Sequence, residues 1–323
     1  MLAQLPLVSL CIPTYNRAPY LKALLQSIVA YLPANECRLE ILVADNAGSD
    51  DTPAVIDAFR AQLPMLKYYR NPENVGTELN MLGLVERSKG RYIWLFGDDD
   101  VFRPNGIEAV LDSLADDPDY VILNYGPIAR DGTPKALERF FDIRENRNLK
   151  QRDEVMARFG LKLGLINSMV FRNDVFSEVP RVDYLRHLAS GLSYLYVSLS
   201  VAAREGLGKV LAEPVFSYRS DNSPWTAERW AGVYGHDLSL LLDEMITKGY
   251  SRSAVRKFRT TVVWDYYARV ILGNRIIGMP TAVYFKSLMR NYADIPAAWL
   301  VLLTVFVPGW AARAIRYAWR KTR

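Results

Sequence analysis

The first 130 residues alternate short runs rich in β-branched and aromatic residues with stretches of helical periodicity, and this restricts the fold more than any other feature. Such a pattern specifies an α/β domain whose mostly parallel sheet is covered by helices on both faces. Strands are expected at Leu7–Ile12, Leu39–Ala44, Leu66–Tyr69, Tyr92–Phe96 and Tyr120–Asn124. Helices are expected between them, over about Pro19–Val29, Thr52–Gln62, Thr77–Ser88 and Asn105–Leu114. Asp51 and Thr52 before Pro53 suit a helix start, because a small oxygen acceptor caps free amides and proline fits the first turn. A strand near Ser168–Phe171, a helix over about Tyr184–Arg204 and a strand near Val210–Tyr218 complete this domain, placed at 1–222. Beyond Trp225 the pattern is helical almost to the end without evident repeats, which defines a helical region over 223–323. The densely charged stretch 138–154 reads as a solvated face or mobile loop, with an acceptor-side lid as the alternative.

In an open sheet of this kind, ligands bind outside the carboxyl ends of the strands. Four successive strands deliver polar loops there: PTYNR (Pro13–Arg17), DNAGSDD (Asp45–Asp51), RNPENVG (Arg70–Gly76) and GDDD (Gly97–Asp100). Asp98, Asp99 and Asp100 end an apolar strand and, unpaired, push each other's pKa values up, so something positive is expected beside them. The alternate carboxylates Asp98 and Asp100 can reach a hard divalent cation, Mg2+ or Mn2+, which prefers oxygen ligands and is often shared with a substrate phosphate. An acidic turn capping the helix after Pro104 is the alternative. A metal with so few protein ligands makes chemical sense if a diphosphate takes its remaining sites, where it neutralises the leaving group. The other loops suit a nucleotide. Asp45 can accept from a base N–H, and Pro13, Thr14 and Tyr15, continued by Asn16 and Arg17, can wall the base. Gly76 permits close backbone approach, with Asn74 and Asn80 hydrogen-bonding nearby.

The ordered runs LVSLCIPTYNRAPYLKALLQSI, ILVADNAGSDDT and YRNPENVGTELNMLGLVERSKGRYIWLFGDDD resemble the family 2 glycosyltransferases with the nucleotide-diphospho-sugar transferase (GT-A) fold. The similarity covers residues 5 to 115 strongly and 116 to 220 loosely, and it is greatest to bacterial enzymes that build O-antigen or capsule units, abequosyltransferase-like members included. It implies a donor half over 1–115 and an acceptor half over 116–222. It also implies that Pro13, Thr14, Tyr15 and Asp45 contact nucleobase and ribose, that Asp98 lies near the ribose, and that Asp100 holds the metal, with Asp99 beside the donor. Most members invert the anomeric centre and need a base to take the acceptor's hydroxyl proton. That base usually comes from an acidic pair about a dozen residues before a glycine that precedes the last strand. Here the glycine is Gly206 or Gly208, and the segment upstream, HLASGLSYLYVSL, contains no acid. Asp183 and His187 are the nearest titratable groups, and their spacing puts them on one helix face if the helix includes Asp183. A base elsewhere, an unusual mechanism, or a non-catalytic nucleotide-sugar-binding or scaffolding protein that keeps the fold, are the alternatives.

Other classes fit poorly. A nicotinamide-dependent oxidoreductase wants GxGxxG after the first strand, where PTYNR stands, and a P-loop kinase wants GxxxxGK[ST], which is absent. Two cysteines and two histidines exclude a disulfide framework and zinc-finger or haem spacing, and a reducing compartment is expected. The opening residues MLAQLPLVSLCI lack a basic region and argue against a secretory signal. The net charge of +5 resides in the tail, where residues 281–323 carry seven Lys or Arg and one acid. That asymmetry argues against nucleic acid as a partner of the main domain and for an anionic surface at the C-terminus. Ile295–Ala312 is free of charge, includes Trp299 and Trp310, and precedes the basic RAIRYAWRKTR. Residues 295–323 therefore suit the membrane interface, placing the protein peripherally on the inner face of the cytoplasmic membrane, where a polyprenyl-diphosphate-linked saccharide would be the acceptor. A buried helix or a spanning one are the alternatives.

Overall fold

The computed structural model describes residues 5–34, 36–129, 131–133, 139–219 and 226–321. The chain divides into two compact units, one of Met1–Gln151, Lys162–Leu188 and Ser193–Ser223, the other of Arg152–Leu161, Ala189–Leu192 and Pro224–Arg323.

The first unit is built on a nine-stranded sheet: β1 (Val8–Thr14), β2 (Leu39–Asp45), β3 (Leu66–Arg70), β4 (Tyr92–Leu95), β5 (Val101–Phe102), β6 (Tyr120–Ile128), β7 (Arg147–Leu149), β8 (Met169–Arg172) and β9 (Gly208–Arg219). Their order is β3-β2-β1-β4-β8-β6-β9-β5, with β7 pairing β9. Strands β1 to β4 run parallel. The second half is mixed, because β8 lies antiparallel to both β4 and β6 while β6 and β9 are parallel. Helices α1 (Ala18–Tyr31), α2 (Thr52–Phe59), α3 (Thr77–Arg87) and α4 (Gly106–Ser113) connect successive strands.

Every residue of β1 and β2 is buried, as expected of parallel strands covered on both faces. Glu40 is an acid in the interior of β2, and its carboxylate is satisfied by Ser9 Oγ (2.6 Å), Lys67 Nζ (2.7 Å) and the amide of Lys89 (2.7 Å). Leu21, Leu24, Leu25 and Ile28 bury one face of α1 at the i, i+3, i+4, i+7 spacing of an amphipathic helix. The second helix begins at Thr52, but Asp50 and not Asp51 supplies the acceptor. Asp50 Oδ1 accepts from the amide of Thr52 (3.2 Å) and its Oδ2 from the amide of Ala18 (2.7 Å), so one carboxylate serves the starts of α1 and α2.

Two expectations change. The charged stretch 138–154 is pinned from Arg139 onward, for Asn124 donates to Phe141 O (2.9 Å) and accepts from Phe141 N (2.9 Å), and Phe141 and Ile143 are buried. The apolar side chains inside the charge run decide this; Glu138 lies outside the described residues. The helix expected over 184–204 is broken into Arg181–Arg186, a turn at Leu188–Ser190, and Ser193–Ala202. Gly191, at φ 72°, takes the left-handed conformation that stops a helix.

The second unit is helical, with Leu238–Thr247, Arg252–Val262, Arg269–Ile277, Ala282–Tyr292, Pro296–Leu303 and Gly309–Lys321 as its longer helices. Among the described residues no helix is long and apolar enough to cross a membrane.

Candidate active site

The four polar loops meet at the carboxyl edge of the parallel strands. Thr14 and Asp45 end β1 and β2 in register, and Asp98 follows β4, the other neighbour of β1. Thr14 Oγ1 donates to Asp98 Oδ2 (2.7 Å), while Arg17 Nη1 reaches Asp98 Oδ1 (3.2 Å) and Asp99 Oδ2 (3.0 Å). The positive charge expected beside the triplet is thus in part the protein's own. Asp100 is held differently: its Oδ2 accepts from Asn167 Nδ2 (2.7 Å) and its Oδ1 from the amide of Arg219 (2.7 Å). Both donors are neutral, and among the described residues Asp100 makes no ion pair.

Asp98 and Asp100 are almost wholly buried. Burial pushes Asp98 up to about 7, against the pull of Arg17 and Thr14 and with the push of Asp99. Asp100 is raised well above the ordinary carboxylate range, chiefly by burial and then by Asp99, against the Arg219 amide. Folding therefore favours the protonated forms, so stability is fully present below the unfolded-state pKa and is lost as pH rises towards the folded one. In EDTA, the stability of the protein relative to Asp98→Asn is expected to fall by on the order of 4 kcal/mol between about pH 4 and pH 7. Urea melts across that range measure it, and parallel curves for the two proteins would refute it.

The carboxylates fit a metal shared with substrate. Among the described residues no cluster of three or more His, Cys, Asp or Glu forms a complete cage. Asp100 nevertheless buries a carboxylate against neutral donors only, beside two more acids, and each carboxylate oxygen can accept more than one partner. Such a site suits a cation that takes one or two protein oxygens and completes its shell with phosphate and water.

Of the other expected donor residues, Tyr15 is exposed and Asn16, at φ 53°, accepts the amide of Ser49 (2.7 Å), tying the first loop to the second. Pro13 lies within β1. Asp45 is fully buried and accepts from Gly48 N (2.7 Å) and Tyr68 Oη (2.8 Å). Asn80 is also buried, its amide bonded to Ala44 O (2.9 Å) and Asn71 Nδ2 (2.9 Å), so it shapes the loop wall from behind. Asn74 accepts from Asn46 Nδ2 (2.7 Å) and from Gly76 N (2.9 Å), and Gly76 adopts φ 86° with open space where a Cβ would lie. Sequence reasoning missed Asn46, which its place beside Asp45 gave reason to include. It also missed Asn167 and Arg219, for which no local signal exists.

The two expected base candidates, Asp183 and His187, both meet Tyr196. Asp183 lies in the short helix Arg181–Arg186, but His187 falls one residue beyond its end. Asp183 bonds Arg186 Nη2 (3.0 Å) and Tyr196 Oη (3.1 Å), and the His187 ring is buried against Tyr196, with ring centroids 4.6 Å apart.

A sheet with this order and an acidic triplet at its carboxyl edge defines a GT-A nucleotide-diphospho-sugar transferase fold with a C-terminal helical region. Residues 9–179 match the model of glycosyl transferase family 2, and the chain belongs to that family. It is 41% identical over 115 residues to abequosyltransferase RfbV of Salmonella typhimurium, a match spanning 34% of each protein, about a third of the length of that relative. Its fold is shared with S. aureus TarS 1-349 in complex with UDP-GlcNAc (TM-score 0.64, 12% identity, 98% of this chain and 92% of that one). It is shared also with the mannosyltransferase PcManGT of Pyrobaculum calidifontis in complex with GDP-Man and Mn2+ (TM-score 0.56, 15% identity, 98% and 83%).

Proposed function

We propose that this chain transfers a sugar from a nucleotide-diphospho-sugar to a hydroxyl of a saccharide acceptor in the assembly of bacterial surface polysaccharide, O antigen or capsule. The observation that carries it is that four polar loops lie at the carboxyl edge of the sheet, joined to one another by hydrogen bonds, with the buried or half-buried carboxylates of the acidic triplet held by the first of them. In the reaction the acceptor oxygen attacks C1 of the donor sugar and the bond from C1 to the diphosphate breaks. The bonding pair leaves with the nucleoside diphosphate, and the hydroxyl proton passes to a base; single displacement inverts the anomeric carbon. Asp100, with Asp98 beside it, would hold Mg2+ or Mn2+, which when bound supplies Lewis-acid neutralisation of the departing diphosphate. Thr14 and Arg17 fix Asp98 for the ribose side, and the loops bearing Tyr15, Asp45 and Asn74 wall the base. A non-catalytic scaffold is not favoured by membership of this family.

The acceptor is a polyprenyl-diphosphate-linked saccharide, and the protein works peripherally at the inner face of the cytoplasmic membrane. Support comes from the basic C-terminal region and its exposed aromatic and aliphatic side chains. A thermal-shift screen of UDP, GDP, CDP and dTDP with and without Mn2+ tests the reading. One nucleotide should stabilise selectively and only with Mn2+, by about 3 kcal/mol at a hundred times its Kd; a flat response to all four would remove it.

A further inference from the structure

One side chain brackets the acidic turn between β4 and β5. Asn167, fully buried, accepts from Gly97 N at Oδ1 (2.7 Å) and donates from Nδ2 to Asp100 Oδ2 (2.7 Å), so a single planar amide spans the two ends of Gly97–Asp100. Its orientation is forced. A backbone N–H can only donate, so the amide oxygen must face Gly97 and the nitrogen must face Asp100, which makes that carboxylate oxygen the acceptor. Asn167 is itself anchored to the sheet. It sits in the turn Ile166–Ser168 that enters β8, and its carbonyl accepts from Nε1 of the buried Trp94 of β4 (3.3 Å). Strands β4 and β8 pair antiparallel there, with Trp94 opposite Val170.

The three acids of the turn are held by different means. Arg17 sets its charge against Asp98 and Asp99, whereas Asp100 receives one neutral donor on each oxygen, Asn167 Nδ2 and the amide of Arg219. Any residue but proline at 219 supplies that backbone amide. Among the described residues, Asn167 is the one side chain that donates to Asp100. A neutral donor fixes the direction of a carboxylate without cancelling its charge, and each carboxylate oxygen retains room for a further partner. Position 167 calls for an amide. A carboxylate there would accept from Gly97 but face Asp100 with a second acceptor, and an apolar side chain would serve neither end of the turn.

We infer that Asn167 is a positioning residue that clamps the turn Gly97–Asp100 and sets the Asp100 carboxylate in one orientation for the divalent cation; this rests on the glycosyl-transfer reading. Hydrogen-bond partners behind a metal ligand fix its direction and thereby its affinity, so Asn167 acts on the cation only through Asp100.

The test follows Mn2+ binding by the full chain, with UDP, GDP, CDP or dTDP present, from the electron paramagnetic resonance of the free ion. Asn167→Ala should weaken Mn2+ binding by roughly 10- to 100-fold. With the corresponding nucleotide-sugars as donors, and water and alkyl glycosides as acceptors, the Mn2+ concentration for half-maximal release of nucleoside diphosphate should rise by the same factor. Ser9→Ala is the control for a merely structural loss. Ser9 Oγ likewise accepts from a glycine amide (Gly90 N, 2.8 Å) and donates to a buried carboxylate (Glu40 Oε1, 2.6 Å), but near the amino ends of the strands. That variant should bind Mn2+ as the wild type does. If Asn167→Ala fails to fold in a circular dichroism melt, Asn167→Leu, which fills the volume without the amide, is read with the same expectation. Wild-type Mn2+ affinity in the Asn167 variants, or an equal loss in Ser9→Ala, would overturn the inference and leave glycosyl transfer standing. So would a wild-type protein that releases nucleoside diphosphate without binding Mn2+. A wild-type protein that neither binds Mn2+ with any of the four nucleotides nor releases nucleoside diphosphate from their sugars overturns both.

Discussion

Asp100→Asn is expected to reduce sugar transfer by roughly 10²- to 10³-fold while leaving the protein as stable as the wild type, or more stable, in EDTA. The two effects have one cause. Asp100 is a buried carboxylate solvated by the side-chain amide of Asn167 and the backbone amide of Arg219, with Asp99 adjoining it and no ion pair among the described residues. A carboxylate in that setting is costly to ionise, and its raised pKa reflects the cost. Asparagine keeps an acceptor oxygen for one donor and removes the charge, so the apo fold loses a cost that a proton or a bound cation otherwise relieves. The same substitution removes the negative group that would hold Mg2+ or Mn2+ against the diphosphate. Activity assays over a Mn2+ titration, paired with melts in EDTA, read both sides. Full activity in the variant would strip Asp100 of its metal role, and a large loss of stability would show the carboxylate to be structural.

The placement of the polar loops at one edge was legible because it is written locally. Each loop follows its own strand, so the periodicity that places a strand also places Thr14, Asp45, Asn74 and Asp98 at one edge. What the loops do to one another was not legible. Asp98 meets Arg17 from 81 residues away, Asp100 meets Asn167 from 67 and Arg219 from 119, and no spacing in the chain encodes such distances. Local signals also misled where a competing term prevailed. The charge density of 138–154 masked Phe141 and Ile143, whose burial outweighs the solvation of their neighbours. The apolar run after Tyr184 continued through Gly191, whose positive φ separates Asp183 from the following helix.

Replacing Trp299, Phe306 and Trp310 together by serine is expected to weaken binding to vesicles containing phosphatidylglycerol by roughly 10²- to 10³-fold without lowering the melting temperature. In the second unit, Ala298 and Val301 of the helix Pro296–Leu303 are fully buried, whereas Trp299, Leu300 and Leu303 are more than half exposed. Phe306 and Trp310 continue that exposure at 76% and 70%. These side chains contribute little to the fold, so their loss should cost little stability beyond the bond from Trp299 Nε1 to Ala293 O. Each large apolar side chain moved into the interface is worth about 1–1.5 kcal/mol, which for three gives the stated factor. The exposed Arg313 follows in the next turn of the chain. Arg323 lies outside the described residues, as do the side chains of Arg316, Arg320 and Lys321. Because basic residues attract anionic headgroups within about a Debye length, wild-type binding should weaken with added salt and be weaker on pure phosphatidylcholine. Co-sedimentation with vesicles of both compositions measures this. Equal partitioning of wild type and triple variant would assign the exposed apolar side chains to another protein surface, and an absence of salt dependence would remove the anionic lipid from the account.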